Sequence, residues 1–421
     1  MEEGDSTRGT GFKAAFAVGE FRALWAAEAL SQAGDQLARV ALSVLVWERT
    51  ASAGLTGLTY GLTYLPTLLG GTLFAGLADR YSRRTVMIVC DLLRAVVAAL
   101  MAVPGTPLLV LAVLLVILTM AGGPFRAAQL ALLPDVLEGE RYVAGLAVRT
   151  ITIQTAQLAG FGGGGLVIGL VKPQWGLVID AVTFVVSALL VSTGVRRRAP
   201  AAAAESSVKS RLVRAFSGDG ARELWRVKGI RVLFGLKMLA GFAIAPEGLA
   251  APLAGELRAG SFAVGLILAA DPVGSVIGSW IFTKWVPARR KTRIVGILAL
   301  ASVVPLVFVF FRPSLPVCLV LIVLSGAFAA PYHLQAVALM ARAVPDGVRA
   351  QVMGLTSTSL VTVQGIGIML AGALAQLTGP FVAVGVAAAV AVASAGPMAI
   401  AWKRAIATGP DVWLPTGSRT G

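Results

Sequence analysis

Histidine and cysteine are nearly absent from the 421-residue chain, with one of the first and two of the second. Cys90 and Cys318 both lie inside apolar runs, which excludes a disulfide framework and a thiolate metal site and leaves them as small core residues. No metal and no cofactor is expected. Charge is scarce as well: Asp, Glu, Lys and Arg make up 14%, against 57% apolar residues and a mean hydropathy of +0.82. Soluble domains carry about 25% charge, so the composition excludes a pair of them. Also missing are the phosphate-cradling G-x-x-x-x-G-K-[ST] loop and the H-E-x-x-H and G-x-S-x-G motifs, so neither ATP as the direct energy source nor an enzyme is expected. The N-terminal MEEGDSTRGTGFKAAFAVGE has no short apolar stretch before a small-residue cleavage site, and is not expected to be a removable signal peptide.

Apolar sequence is what the chain has in excess. A membrane-crossing helix needs about 20 largely apolar residues. Runs bounded by charge, Pro or Gly predict twelve, at 22–47, 54–78, 85–103, 107–133, 143–170, 175–194, 230–252, 262–284, 293–311, 314–341, 351–377 and 380–402. The expected fold class is an all-α membrane protein with two six-helix bundles, at 22–195 and 230–404. Cytoplasmic segments at 1–21 and 405–421 flank them, and a basic cytoplasmic linker at 196–229 separates them.

With the N-terminus inside, the basic connections fall on one face: Arg80, Arg83 and Arg84, then Arg196 through Arg231, then Lys284, Arg289, Arg290, Lys291 and Arg293, then Arg342 and Arg349, then Lys403 and Arg404. That assigns most of the 36 Lys and Arg residues to the cytoplasmic side. It leaves Arg49, Lys172, Arg258 and Arg312 outside and only Arg39, Arg126, Arg149 and Lys237 within spans. Both termini are therefore expected in the cytoplasm of a multi-pass protein of the bacterial cytoplasmic membrane. The net charge of +15 becomes a topology signal and an attraction to the anionic lipid bilayer, with no nucleic-acid partner.

The halves resemble each other. GLTYLPTLLGG from Gly61 aligns with GLILAADPVGS from Gly265, pairing Gly70 with Gly274, and GLAVRT from Gly145 aligns with GLTSTS from Gly354. Matches in order and at nearly constant offset predict two repeated bundles related along the membrane normal, with a site at mid-bilayer.

After the second predicted span comes Gly76-Leu77-Ala78-Asp79-Arg80-Tyr81-Ser82-Arg83-Arg84. It resembles the G-x-x-x-D-R-x-G-R-R loop of the major facilitator superfamily, with Ser82 in place of the second glycine. The resemblance implies a conformational latch made by Gly76, Asp79, Arg80, Arg83 and Arg84. The fifth span carries Gln154, Gln157, Gly160, Gly162, Gly163, Gly164 and Gly165. Such a helix admits a close neighbour, and it resembles the glycine-rich fifth helix of the superfamily's antiporters without that motif's proline. In the fourth span, Arg126-x-x-Gln129 looks like the R-x-x-Q of drug/proton antiporters. Together with Gly34-Asp35-Gln36 and Ile179-Asp180, the pattern resembles the branch that holds macrolide efflux proteins and the enterobactin exporter.

Ionisable residues in lipid are costly, so they are functional candidates. Glu28, Gln32, Asp35 and Arg39 recur at spacings of four, three and four, which puts them on one stripe of the first helix. Counted along the helices, Glu28 and Arg126 lie at compatible depths for pairing, and Arg149 lies at similar depth. Gln129 and Asp271 complete the proton-coupling and cavity candidates, with Glu28, Asp35 and Asp271 favoured in that order as proton carriers. His333, Asp180, Glu247 and Lys237 form a second tier.

These readings imply an exporter of small organic, drug-like molecules that exchanges them for protons by alternating access. An endogenous cargo such as a siderophore or secondary metabolite fits the same sequence. A non-transporting membrane sensor would need an extra domain, and the longest soluble stretch, 196–228, is too short for one.

Overall fold

A computed structural model describes residues 13–67, 70, 80–198 and 219–408. The first half contains α1 (Gly19–Thr50), α2 (Ala53–Gly61), α3 (Arg83–Met101), α4 (Leu108–Val136), α5 (Glu140–Leu170) and α6 (Pro173–Gly194). After α7 (Asp219–Arg226), the second half begins with α8 (Lys228–Met238), which continues as short helical pieces to Glu256 around Pro246 and Pro252. It goes on through α9 (Gly260–Trp285), α10 (Val295–Val307), α11 (Leu315–Ala343), α12 (Asp346–Thr378) and α13 (Pro380–Thr408). Among the described residues there is no strand.

Among the described residues, seven helices are long and apolar enough to cross a membrane: α4, α6, the stretch Lys228–Gly248, α9, α11, α12 and α13. The other predicted spans for which the structure gives helices differ in composition, and the two most charged, α1 and α3, turn the charges in the middle of the helix inward. On α3, Val89, Leu92, Val96 and Leu100 face outward, while Asp91 and Arg94 are buried at 0% and 5% exposure. The lipid-facing side is the apolar one and the interior the polar one, as a helix in hydrocarbon requires.

The chain forms two compact units, Met1–Val46 with Leu62–Val208, and Trp47–Gly61 with Lys209–Gly421. The division at residues 208 and 209 falls within the basic segment 196–229, and α2 joins the second unit. There Gly57 lies against Gly372, where an added Cβ would stand 2.8 Å from its Cα. The Ser52 hydroxyl donates to Gln376 Oε1 at 2.8 Å, and Tyr60 donates to Glu247 Oε2 at 3.2 Å.

In the first unit α3 packs on α4 and α6, and α1 runs against both α5 and α6. The glycines of α5 divide by face. A Cβ on Gly160 would come within 2.6 Å of the Gln36 Cβ, and one on Gly164 within 3.2 Å of the Leu37 Cα, so these two admit α1. Among the described residues, Gly162 and Gly163 meet nothing within 4 Å, so no close helix packing is seen at these two predicted packing glycines. In the second unit the large core joins Ile230, Leu233, Val303, Tyr332, Leu339 and Trp402, and Trp402 donates its indole N–H to the Thr292 carbonyl at 2.9 Å.

The internal repeat has a structural counterpart. Gly70 abuts the Met120 backbone of α4, and its aligned partner Gly274 abuts the Val323 carbonyl of α11. Gly278, one turn farther, would drive a side chain into the Ala327 carbonyl. Gly278→Val should therefore force α9 from α11 and cost about 1–3 kcal/mol or more. Gly162→Ala, with open space around it, should change stability by less than about 0.5 kcal/mol. Thermal unfolding of the purified variants in detergent measures both, and equal melting temperatures would remove the close α9–α11 contact from the reasons the unit holds together.

Candidate functional site

The stripe on α1 is the starting point. Because Glu28, Gln32, Asp35 and Arg39 recur on one side of the helix, they meet the polar sides of α3, α4, α5 and α6 instead of lipid. Asp35 receives Arg94 Nη2 at 2.7 and 2.8 Å on its two oxygens. Arg94 Nη1 reaches the Ser31 hydroxyl at 3.2 Å and lies 3.6 Å from Asp91 Oδ1. The guanidinium also stands over the Phe184 ring at 3.9 Å, and Asp180 is within electrostatic range. Arg94 and Asp91 carry no weight in the sequence reading, which placed only Arg39, Arg126, Arg149 and Lys237 inside spans. The signal present was the Asp91-x-x-Arg94 spacing, which puts both groups on one face of a helix otherwise rich in Val, Leu and Ala.

One guanidinium thus serves three carboxylates. Asp91 is fixed from its other side by Ser187, whose hydroxyl donates to Oδ2 at 2.6 Å. Asp180 is fully buried, and among the described residues its Oδ2 has no hydrogen-bond partner. Gly34 lets Asp180 approach α1, since a Cβ there would stand 2.6 Å from Asp180 Oδ1. Asp35 alone of the three keeps access, with 19% of its side chain exposed.

Glu28 does not pair with Arg126. Arg149 Nε donates to its two oxygens at 2.8 and 3.0 Å, so α5 supplies the partner. Depth along a helix leaves both cations eligible, and only the lateral arrangement of α4 and α5 selects one. Arg126 is left without a hydrogen bond or ion pair among the described residues. Its guanidinium and that of Arg94 both lie beside Gly122. Gln129 sits next to Glu28 with its amide oxygen unpartnered. Arg39 stacks over the Tyr64 ring at 5.2 Å.

A cavity of about 50 Å³ opens among Asp35, Arg39, Thr63, Thr67, Arg94, Thr119, Arg126 and Asp180. A smaller one, about 10 Å³, lies among Glu28, Gln32, Asp35, Arg94, Arg126 and Gln129. Asp35, Arg94 and Arg126 line both. At about 10–15 Å³ per water, the larger space takes a few waters, far below the roughly 300 Å³ of a drug-sized pocket.

Of the loop residues, Gly76 and Asp79 lie outside the described residues, and Arg80 is exposed. Arg83 donates to Asp135 Oδ2 at 2.5 Å and to the Ala131 carbonyl at 2.7 Å, and Arg84 reaches the Ser192 carbonyl. Arg198 pairs with Glu20 and reaches the Asp135 carbonyl at 3.2 Å. These contacts tie α3, α4, α6 and α1 together at the basic end of the first unit.

The second unit holds fewer buried charges. Asp271, ahead of Pro272 on α9, has no ion pair among the described residues and lies by Ser275. Lys237 is 5% exposed and likewise unpaired, close enough to His333 for its charge to be felt there. The His333 ring packs on Tyr332 at 4.3 Å between centroids. Both cysteines are buried and unpaired, and no group of three or more metal-ligating side chains occurs among the described residues.

Residues 24–246 match the family model of the Major Facilitator Superfamily. The chain is 28% identical over 364 residues to the multidrug efflux pump Tap of Mycolicibacterium fortuitum, covering 82% of this chain and 87% of that protein. It is also 28% identical over 376 residues to Tap of Mycobacterium tuberculosis H37Rv, covering 83% and 85%. The fold is similar to a bacterial homologue of the human lysosomal transporter Spinster, with a TM-score of 0.72, 14% identity and coverage of 94% and 98%. It is equally similar to a point mutant of the nucleoside transporter NupG, with a TM-score of 0.72, 14% identity and coverage of 92% and 99%. The chain belongs to the major facilitator superfamily and is a multi-pass membrane transporter of small molecules.

Proposed function

We propose that the protein exports small organic, drug-like molecules across the cytoplasmic membrane in exchange for protons, by alternating access of two six-span bundles with cytoplasmic termini. The likeness to efflux pumps over most of the chain supports export. The observation that supports proton exchange is Arg94 among Asp35, Asp91 and Asp180. Three carboxylates share the one guanidinium that pairs with them, with Arg126 beside them, so a proton on one carboxylate still leaves Arg94 an acceptor. Asp35 is the group we assign to take it, because it lines both cavities and keeps exposure.

When Asp35 is protonated, Arg94 is not stranded, since Asp91 and Asp180 stand ready as acceptors. Arg126, which has no acceptor of its own, lies beside the exchange. Proton uptake thereby becomes a change of ion-pair partners on α1, α3 and α6, the kind of two-state rearrangement that a conformational cycle can use. Glu28 falls behind Asp35 as a proton carrier, because Arg149 already holds both of its oxygens. Asp271 is the corresponding candidate in the second unit. The Arg83 and Arg84 contacts support a latch role for that loop.

Susceptibility and metabolite profiling of a deletion strain tests direction and cargo together. Sensitisation to several unrelated antibiotics, with accumulation of fluorescent substrates, is the expected result. Unchanged susceptibility with an internal build-up of one self-made metabolite would replace drug export by export of that metabolite.

A further inference from the structure

Away from the buried charges, the starts and ends of two helices of the second unit form a cleft of about 770 Å³. On one wall, Lys228, Arg231 and Val232 follow one another at helical spacing along the start of α8. On the other, Pro397, Ile400, Ala401, Arg404 and Thr408 form a single stripe along the last turns of α13. Both stripes run from cations at the helix end to apolar residues farther in. The three cations line one cleft, and Val232, Ile400, Ala401 and Pro397 line it with them.

The charge has no internal purpose. Among the described residues, none of Lys228, Arg231 and Arg404 makes a side-chain hydrogen bond or ion pair, and no carboxylate lines the cleft. On α7, Glu223 is held by Arg226 through two hydrogen bonds of 2.8 and 2.9 Å. Ile400 is 56% exposed, and Trp225 on α7 is 60% exposed. An exposed indole at a span's charged end is a common interfacial anchor, which fixes this level of the protein at the headgroups. Basic pockets between spans at that level complement anionic lipid headgroups.

We propose that this cleft holds one anionic phospholipid, its phosphate on Lys228, Arg231 and Arg404 and an acyl chain along Val232, Ile400, Ala401 and Pro397. The ligand must carry both features, since the cations alone would suit any phosphate and the apolar strip alone any lipid. From Arg404 to Pro397 the strip is about 10 Å long, at ~1.5 Å per residue, which accommodates the upper part of a chain. This site is independent of the proton-exchange reading.

The test is native mass spectrometry of the full-length purified protein in detergent. Phosphatidylglycerol is titrated against phosphatidylcholine of the same acyl chains, with inorganic phosphate as competitor. Wild type should retain one phosphatidylglycerol in preference to phosphatidylcholine, and millimolar phosphate should not displace it. Lys228→Gln/Arg231→Gln/Arg404→Gln should bind it about 100-fold more weakly, from roughly fivefold per cation near a headgroup. Lys284→Gln/Arg290→Gln/Arg293→Gln removes the same charge elsewhere on this unit and should leave retention unchanged. Ala401→Trp, which fills the cleft without touching a charge, should weaken binding several-fold. Equal retention of the two lipids, equal loss in both triple variants, or displacement by inorganic phosphate would each overturn the proposal.

Discussion

Arg94→Ala should be the most damaging single substitution in the first unit, lowering stability by about 3–5 kcal/mol. The figure follows from what it leaves behind: removing one member of a buried ion pair strands the other in a medium that cannot solvate it. Here the stranded groups are Asp35, its partner at 2.7 Å, and Asp91, at 0% exposure with Arg94 Nη1 3.6 Å away. The cation over the Phe184 ring is lost as well. Arg94→Lys should fall between, because a single ammonium keeps the charge but cannot reach Ser31 and Asp35 together as a planar fork does. Arg94→Gln combined with Asp35→Asn should recover part of the loss. Thermal unfolding of the purified variants checks the order, and an Arg94→Ala protein within about 1 kcal/mol of wild type would mean that the cluster does not hold α1, α3 and α6 together.

Asp35→Asn should have the second large effect, on coupling and not on folding. Arg94 retains Asp91 and Asp180, so the variant should insert and unfold near the wild-type temperature. Substrate movement down its own gradient should persist, while acceleration by a proton gradient should fall at least tenfold. Asp271→Asn serves as the comparison, since Asp271, within α9 of the second unit, has no ion pair among the described residues. Normal proton dependence in Asp35→Asn together with its loss in Asp271→Asn would move the proton site to α9.

How far these residues could be read in the sequence depended on their spacing. Glu28, Gln32, Asp35 and Arg39 announce themselves because four polar residues at intervals of three and four cannot all face lipid. Arg94 and Asp91 are a lone pair in an apolar run that opens with Arg83 and Arg84, and a cation there reads as one more member of the positive face. The helices α4 to α6 fall near their predicted spans because Gly105, at φ +87°, and the breaks before Glu140 and Pro173 punctuate the chain. Of the second predicted span, Ala53–Gly61 forms a regular helix, and residues 71–79 lie outside the described residues. Pairing between helices was out of reach for a different reason. Glu28 finds Arg149 and not Arg126 because of how α4 and α5 are arranged around α1, and sequence position carries depth but not azimuth. The division of the α5 glycines is similar in kind: Gly160 and Gly164, four apart, share the face toward α1, while Gly162 and Gly163 point away.

Export driven by protons is tested most directly in everted membrane vesicles containing the wild-type protein, by following uptake of a fluorescent substrate on imposing an inward-acid pH gradient. Uptake should begin with the gradient, collapse on adding a protonophore, and be absent in Asp35→Asn vesicles that hold equal amounts of protein. Uptake that continues unchanged after the protonophore would contradict proton coupling, whatever the ion pairs around Arg94.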